Sequence, residues 1–278
     1  MGEVLQKVLM PWLSQAVGEQ GYHYVGGPVT RLADIRHLGT ARDLVTAYEL
    51  NQSAAFVDDP AFVDVVRFEV EPLMRLRAPE MLQRLWPTYP MGFLSGHSSG
   101  PVPVWVLDRT RVPRGAEMWR VHRSGEQEML TRFEGIARGW RSARGFMPMT
   151  HLVGPRAEFE GREYAAEFTE PTGGQVELVH FGEDVPPGFE PVRPMVSART
   201  VLSAQCEQVH EVVLSAQWLG VDARILQPTS QDALLLLEQP DVDAIERTRA
   251  REVEPGYYEV VAPKSELAHG GGVSNVLQ

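Results

Sequence analysis

The sequence predicts an α+β chain: an N-terminal mixed α+β domain followed by two tandem small SH3-like β-barrel modules. Three observations lead there. Apolar residues near the N-terminus recur at the 3.6-residue period of a helix, whereas beyond residue 90 they fall in short extended runs separated by turn residues. In addition, the stretch from Ala157 to Ala268 reads as one pattern written twice. Ala157-Glu158-Phe159-Glu160-Gly161 corresponds to Ala216-Gln217-Trp218-Leu219-Gly220, and the turn Pro171-Thr172-Gly173-Gly174-Gln175 to Pro228-Thr229-Ser230-Gln231-Asp232. Each copy has room for four or five short strands with tight turns, the content of a small open barrel. The expected boundaries are 1–150 for the first domain, 151–204 and 205–270 for the two modules, and 271–278 for a flexible tail.

Taken in order, Val4, Leu5, Val8, Leu9, Trp12, Leu13, Ala16 and Val17 predict a helix that either kinks or begins at Pro11, and Gly18 and Gly21 end it. Thr40 is a helix N-cap for a segment running to about Asn51. Residues 63–70 are ambiguous, since Pro60 suits a helix start and the valines suit a strand. Pro79 opens a short helix carrying Met81, Leu82 and Leu85. Alternation over residues 102–107 predicts an edge strand, because Pro101 and Pro103 cannot donate to a ladder. Arg123-Ser124-Gly125-Glu126 forms a hairpin turn, and Asp241 begins one or two helical turns in the second copy. Residues 203–212 join the copies as a helix or a strand.

Composition narrows the function classes. With 43% apolar residues among 278, the chain has ample material for packed cores. No run of about 18 apolar residues and no secretory leader is apparent, so a cytoplasmic protein without a membrane partner is expected. Cys206 is the single cysteine, which excludes an internal disulfide framework. Of the 26 basic residues only Lys7 and Lys264 are lysines. Residues 1–156 carry a net charge of +2 and residues 157–278 a net −13. Phosphate contacts require positive charge, so the acidic half argues against nucleic acid and for a protein partner with a basic face.

The most specific motif is Gly96-His97-Ser98-Ser99-Gly100. It resembles the nucleophile elbow of α/β-hydrolases, in which Ser98 would be the nucleophile; yet Pro101, Pro103 and a strand follow where that family places a helix. Acidic pairs such as Glu126/Glu128 and Glu158/Glu160, with Arg120 upstream, resemble the site of ADP-ribosyltransferases, although alternate residues of any solvated strand share this spacing. Cys206 and His210, four apart, are compatible with thiolate chemistry, but two ligands do not make a metal site. Nine arginines between Arg109 and Arg144 lie among aromatic residues; they suit either an anion or the acidic groups of the two copies. Gly270-Gly271-Gly272-Val273-Ser274-Asn275 resembles the closing segment of guanidine-modifying pentein enzymes, with Ser274 and Asn275 near where that family has its cysteine.

The expectation from these residues is a non-enzymatic protein-binding or adaptor protein, immunity-factor-like, working through an acidic surface. Its candidate binding residues are Arg120, Trp119, Trp140, Phe159 and Trp218, and neither cofactor nor metal is expected. The alternative is a serine hydrolase using Ser98, with ADP-ribosyl transfer behind it.

Overall fold

The computed structural model describes residues 3–52, 55–77, 94, 102–149, 152–238, 240–254 and 256–277. They fall into two compact units. The first comprises Met1–Glu134, Gly139–Met147 and Val253–Tyr257, and the second Gly135–Arg138, Pro148–Glu252 and Tyr258–Gln278.

In the first unit, β1 (Val4–Val8) precedes helix α1 (Pro11–Gln20), β2 (Tyr24–Arg31), helix α2 (Ala41–Ala47), β3 (Phe62–Glu69), β4 (Leu76–Arg77), β5 (Trp105–Arg111), β6 (Glu117–His122) and β7 (Gln127–Arg132). Proline at the first helical position costs no hydrogen bond, so α1 starts at Pro11. It stops at Gly21, which adopts the left-handed conformation with φ of 71°. Thr40 and Asp43 close a reciprocal capping box at the start of α2. The strands form a seven-stranded sheet in the order β4-β5-β2-β1-β3-β6-β7, with every recorded pairing antiparallel. Leu5, Val25, Val65 and Leu107 from its central strands, with Leu13 and Leu44 from the helices, are buried in the core.

That core also encloses charge. Lys7, Arg109 and Glu254 are all buried, at 3%, 0% and 0% side-chain exposure. Arg109 Nη1 donates to Glu254 Oε1 at 2.7 Å, and the Gly26 N–H reaches the same oxygen at 3.2 Å. Lys7 Nζ faces Glu254 Oε2 as an ion pair without hydrogen-bond geometry, and donates to the Val8 carbonyl at 3.2 Å. Arg109 Nη2 donates to the Tyr22 hydroxyl. A buried carboxylate thus answers two buried cations, and Glu254 arrives from the 253–257 segment, far along the chain from the other two.

The second unit contains β8 (Gly154–Phe159), β9 (Arg162–Phe168), β10 (Gln175–Phe181), β11 (Glu190–Arg193) and β12 (Val196–Leu202), then a 3-10 turn (Ser203–Gln205) and β13 (Gln208–Trp218). It continues with β14 (Val221–Pro228), β15 (Asp232–Leu237), helix α3 (Val242–Thr248), β16 (Arg251–Glu254), β17 (Tyr257–Pro263), a second 3-10 turn (Lys264–Glu266) and β18 (Ala268–Val276), with Val253 and Glu254 of β16 and Tyr257 of β17 belonging to the first unit. The Ala-x-aromatic-x-Gly stretches lead into the β8–β9 and β13–β14 hairpins. Both turns place two successive residues at positive φ: 52° and 71° at Glu160 and Gly161, 49° and 75° at Leu219 and Gly220. Two positive φ values match the twist of a two-residue hairpin, and glycine takes the second without strain.

The expected fold class requires correction. Among the described residues the chain is mostly β, built on two large antiparallel sheets, with three α-helices and no closed barrel. In place of an N-terminal α+β domain and two SH3-like barrels, the second sheet runs β11-β12-β10-β9-β8-β13-β14-β15-β17-β16, with β18 added on β13. The physical reason lies in β13. Its eleven residues pair with β8 through Gln208 to Val212 and with β14 through Leu214 to Trp218. Hydrogen bonding therefore runs straight across the seam between the two sequence copies. The first strand is a second departure: Val4–Val8 carries helix-like spacing, yet four of its five residues are buried, the pattern of a strand covered on both faces. The helix expected after Pro79 lies outside the described residues.

Candidate functional site

The first unit carries a groove of about 590 Å³ between α1, β3, β6 and β7. Its walls are mostly apolar, with Leu9, Val17, Phe56, Val63, Met118 and Leu130 prominent, and Val57 and Phe62 stand on it at 65% and 43% exposure. The polar groups converge on one carboxylate. Asp64, buried on β3, accepts from Arg120 Nε at 2.8 Å and Nη2 at 3.0 Å, and from the Ser14 hydroxyl of α1. Two parallel bonds are the strong, planar form of the arginine–carboxylate pair. The same guanidinium lies 3.7 Å from the Phe62 ring centroid, so one side chain is fixed by a charge and an aromatic face together. Its bonds to Asp64 hold the Arg120 pKa above the ordinary arginine value.

Strand alternation explains this arrangement. Phe62 and Asp64 project from β3 beside Arg120 of β6, where the register sets Asp64 directly opposite Arg120. Chemically the cluster is a neutralised anchor. Both Asp64 oxygens are occupied, Ser14 is a donor to one of them, and none of the described residues lining the groove is a histidine. The arrangement offers shape, an apolar lining and a fixed cation edge.

Of the residues singled out in the sequence, Arg120 lies in the groove. Trp119, its neighbour on β6, does not line it; its ring lies 5.1 Å from the Arg67 guanidinium and its indole N–H donates to Glu117. Trp140 is buried, 5.3 Å from Phe133 between ring centroids, and donates to the Tyr22 carbonyl at 2.8 Å. Phe159 is buried beneath Arg199 at 4.7 Å, and Trp218, also buried, donates to Glu266 at 2.9 Å. The five residues are therefore not brought together. Ser98 and its motif lie outside the described residues. Asp64, Ser14 and Phe62 escaped sequence reading, although an aspartate inside the apolar run 62–68 signals a buried charge in need of a partner.

In the second unit the carboxylates divide by burial. Glu167 and Glu177 face each other across β9 and β10 and are buried. Ile136 N–H donates to Glu167 at 3.0 Å, and Arg138 Nη1 reaches both Glu177 oxygens at 2.7 and 2.8 Å. One of the nine arginines thus pairs with an acidic group of the first sequence copy. Glu183, Asp184, Asp222, Glu238, Asp241 and Asp243 are exposed. Cys206 follows a 3-10 turn while His210 sits buried on β13 facing Glu163 at 3.4 Å, so the two do not share a helix face. Burial and the nearby Glu207 push the Cys206 thiol pKa up, which disfavours a thiolate. Among the described residues no three metal-ligating side chains cluster, and no helix is long and apolar enough to cross a membrane. The chain matches no protein-family model, no curated protein and no solved structure.

Proposed function

We propose that this chain is a protein-binding protein without chemistry of its own, and that its partner presents a basic face. The observation that carries this reading is the groove of the first unit: an apolar recess with exposed Phe62 and Val57 beside it, whose one bidentate ion pair is internally neutralised. Such a recess suits an apolar anchor of a partner, since interface energy concentrates where a few side chains are fully desolvated. The second unit supports the sign of the partner's charge. Its buried carboxylates hold the chain together, whereas the exposed ones outnumber exposed cations and draw a basic surface.

Labelling with a broad fluorophosphonate probe tests the absence of serine chemistry. Neither Ser14 nor Ser98 is expected to react above the background of the heat-denatured chain. Stoichiometric labelling that disappears in Ser98→Ala would overturn the reading, as would the same outcome for Ser14→Ala.

A further inference from the structure

The last strand presents a second surface that does not depend on the function proposed above. Among the described residues β18 pairs with β13 alone, and all of its residues except Asn275 are exposed, Val273 at 60% and Val276 at 63%. A long exposed edge is ordinarily protected by lysine, proline or a bulge. The sheet's β11 edge follows that rule, being four residues long with Pro191 and a register shift beside it. β18 has nine residues, Ala-His-Gly-Gly-Gly-Val-Ser-Asn-Val, with neither proline nor carboxylate nor lysine nor arginine; its register against β13 shifts between Ala268 and Gly271, where His269 takes a φ of 50°, and the six residues from Gly271 to Val276 form a regular edge.

The glycines are the second observation. A Cβ on Gly270 or Gly271 would meet nothing closer than 3.9 and 3.7 Å, and neither has a positive φ. No contact within the chain therefore requires glycine at either position, although glycine weakens a strand. The register shift accounts for Gly270, whereas at Gly271, where the regular stretch begins, glycine leaves room for the close approach of another backbone.

The geometry points to a second copy of this chain as the occupant, its β18 laid antiparallel against this one in a two-fold dimer. An identical strand opposite itself brings like charges together wherever it is charged, and on a chain of net charge −11 this edge lacks carboxylates entirely. The molecule already makes the equivalent pairing internally. β13 follows the first 3-10 turn as β18 follows the second, and these two strands pair antiparallel from His210 opposite Val276 to Gln217 opposite Ala268. The outer edge of β13 is filled in this way; that of β18 is open among the described residues. Antiparallel self-pairing is isologous and closes at two copies.

The ladder specifies the test. Leu277 N–H donates to the Val209 carbonyl at 2.8 Å, so alternate residues 275, 273 and 271 face β13, and the N–H groups of 272, 274 and 276 face outward. Sedimentation equilibrium of the whole chain is expected to give a dimer. Ser274→Pro removes an outward donor and leaves the β13 ladder intact, so it is expected to give a monomer with an unchanged circular dichroism spectrum. Should Ser274→Pro fold poorly, Val276→Lys, which alters an exposed side chain, is expected to weaken the dimer at least tenfold and to restore it partly at high salt. A wild-type monomer at every concentration overturns the proposal. So does a dimer that neither substitution weakens.

Discussion

Glu254→Ala is expected to lower the unfolding free energy of the first unit by about 3–5 kcal/mol, the usual cost of removing one partner from a buried ion pair. The substitution removes the carboxylate that faces both Lys7 and Arg109, which are enclosed at 3% and 0% side-chain exposure. The Gly26 N–H loses its acceptor as well. A domain is stable by only about 5–15 kcal/mol, so this is a large share of the total. Glu254→Gln preserves an acceptor for Gly26 and Arg109 while removing the charge, and should fall between wild type and alanine. Urea denaturation monitored by near-ultraviolet circular dichroism reads the effect as a shift in midpoint. A loss below about 1 kcal/mol, the range of exposed pairs, would show that the cluster is solvated rather than enclosed.

The second large effect is acid sensitivity arising from His23. This side chain is buried, stacked on Tyr24 at 5.3 Å and tilted against Phe133 at 5.8 Å. Burial first, and then the Arg111 charge, push its pKa down from 6.5 to about 3. The folded protein therefore keeps His23 neutral while the unfolded chain takes up a proton near pH 6.5. Because the unfolded state binds more protons between those two values, the His23 contribution is fully present above pH 6.5 and is lost as pH falls toward 3. The slope approaches about 1.4 kcal/mol per pH unit. His23→Gln cannot be protonated, so its stability relative to wild type should rise steadily as pH drops from 6.5 to 3. Urea titrations of both proteins across that range measure the difference, from which the common titration of the carboxylates cancels. A difference that does not change with pH would contradict a neutral buried histidine.

Local features were legible in the sequence because they depend on a few adjacent residues. Pro11 marked a helix start, Thr40 with Asp43 a cap, and Ser124-Gly125 a hairpin turn whose glycine takes a φ of 88°. Asp241 begins α3 by accepting from the Ala244 N–H at 2.7 Å. What the sequence could not show was pairing between distant segments. Whether each copy closes on itself or opens into a shared sheet depends on β8 meeting β13 and β13 meeting β18, and those registers leave no mark on either strand alone. The same limit hid the groove. Asp64 and Arg120 are 56 residues apart and meet only because β3 and β6 are neighbours. Among the candidate binding residues, Trp140, Phe159 and Trp218 carried aromatic bulk that the cores absorbed, since large rings contribute most where they are desolvated.

Recognition of a basic partner through a groove and an acidic surface is tested most directly by its salt dependence. A fluorescein-labelled oligo-arginine peptide serves as a probe of the carboxylate-rich surface, with its anisotropy titrated against the chain at increasing sodium chloride. Exposed charges are screened beyond about 8 Å at physiological ionic strength, so the affinity is expected to fall steeply with salt. It should also fall in a variant carrying Asp222→Lys, Glu238→Lys and Asp243→Lys, three exposed positions of the second unit. Binding that ignores both salt and charge reversal, or no binding even at low salt, would contradict an acidic docking surface.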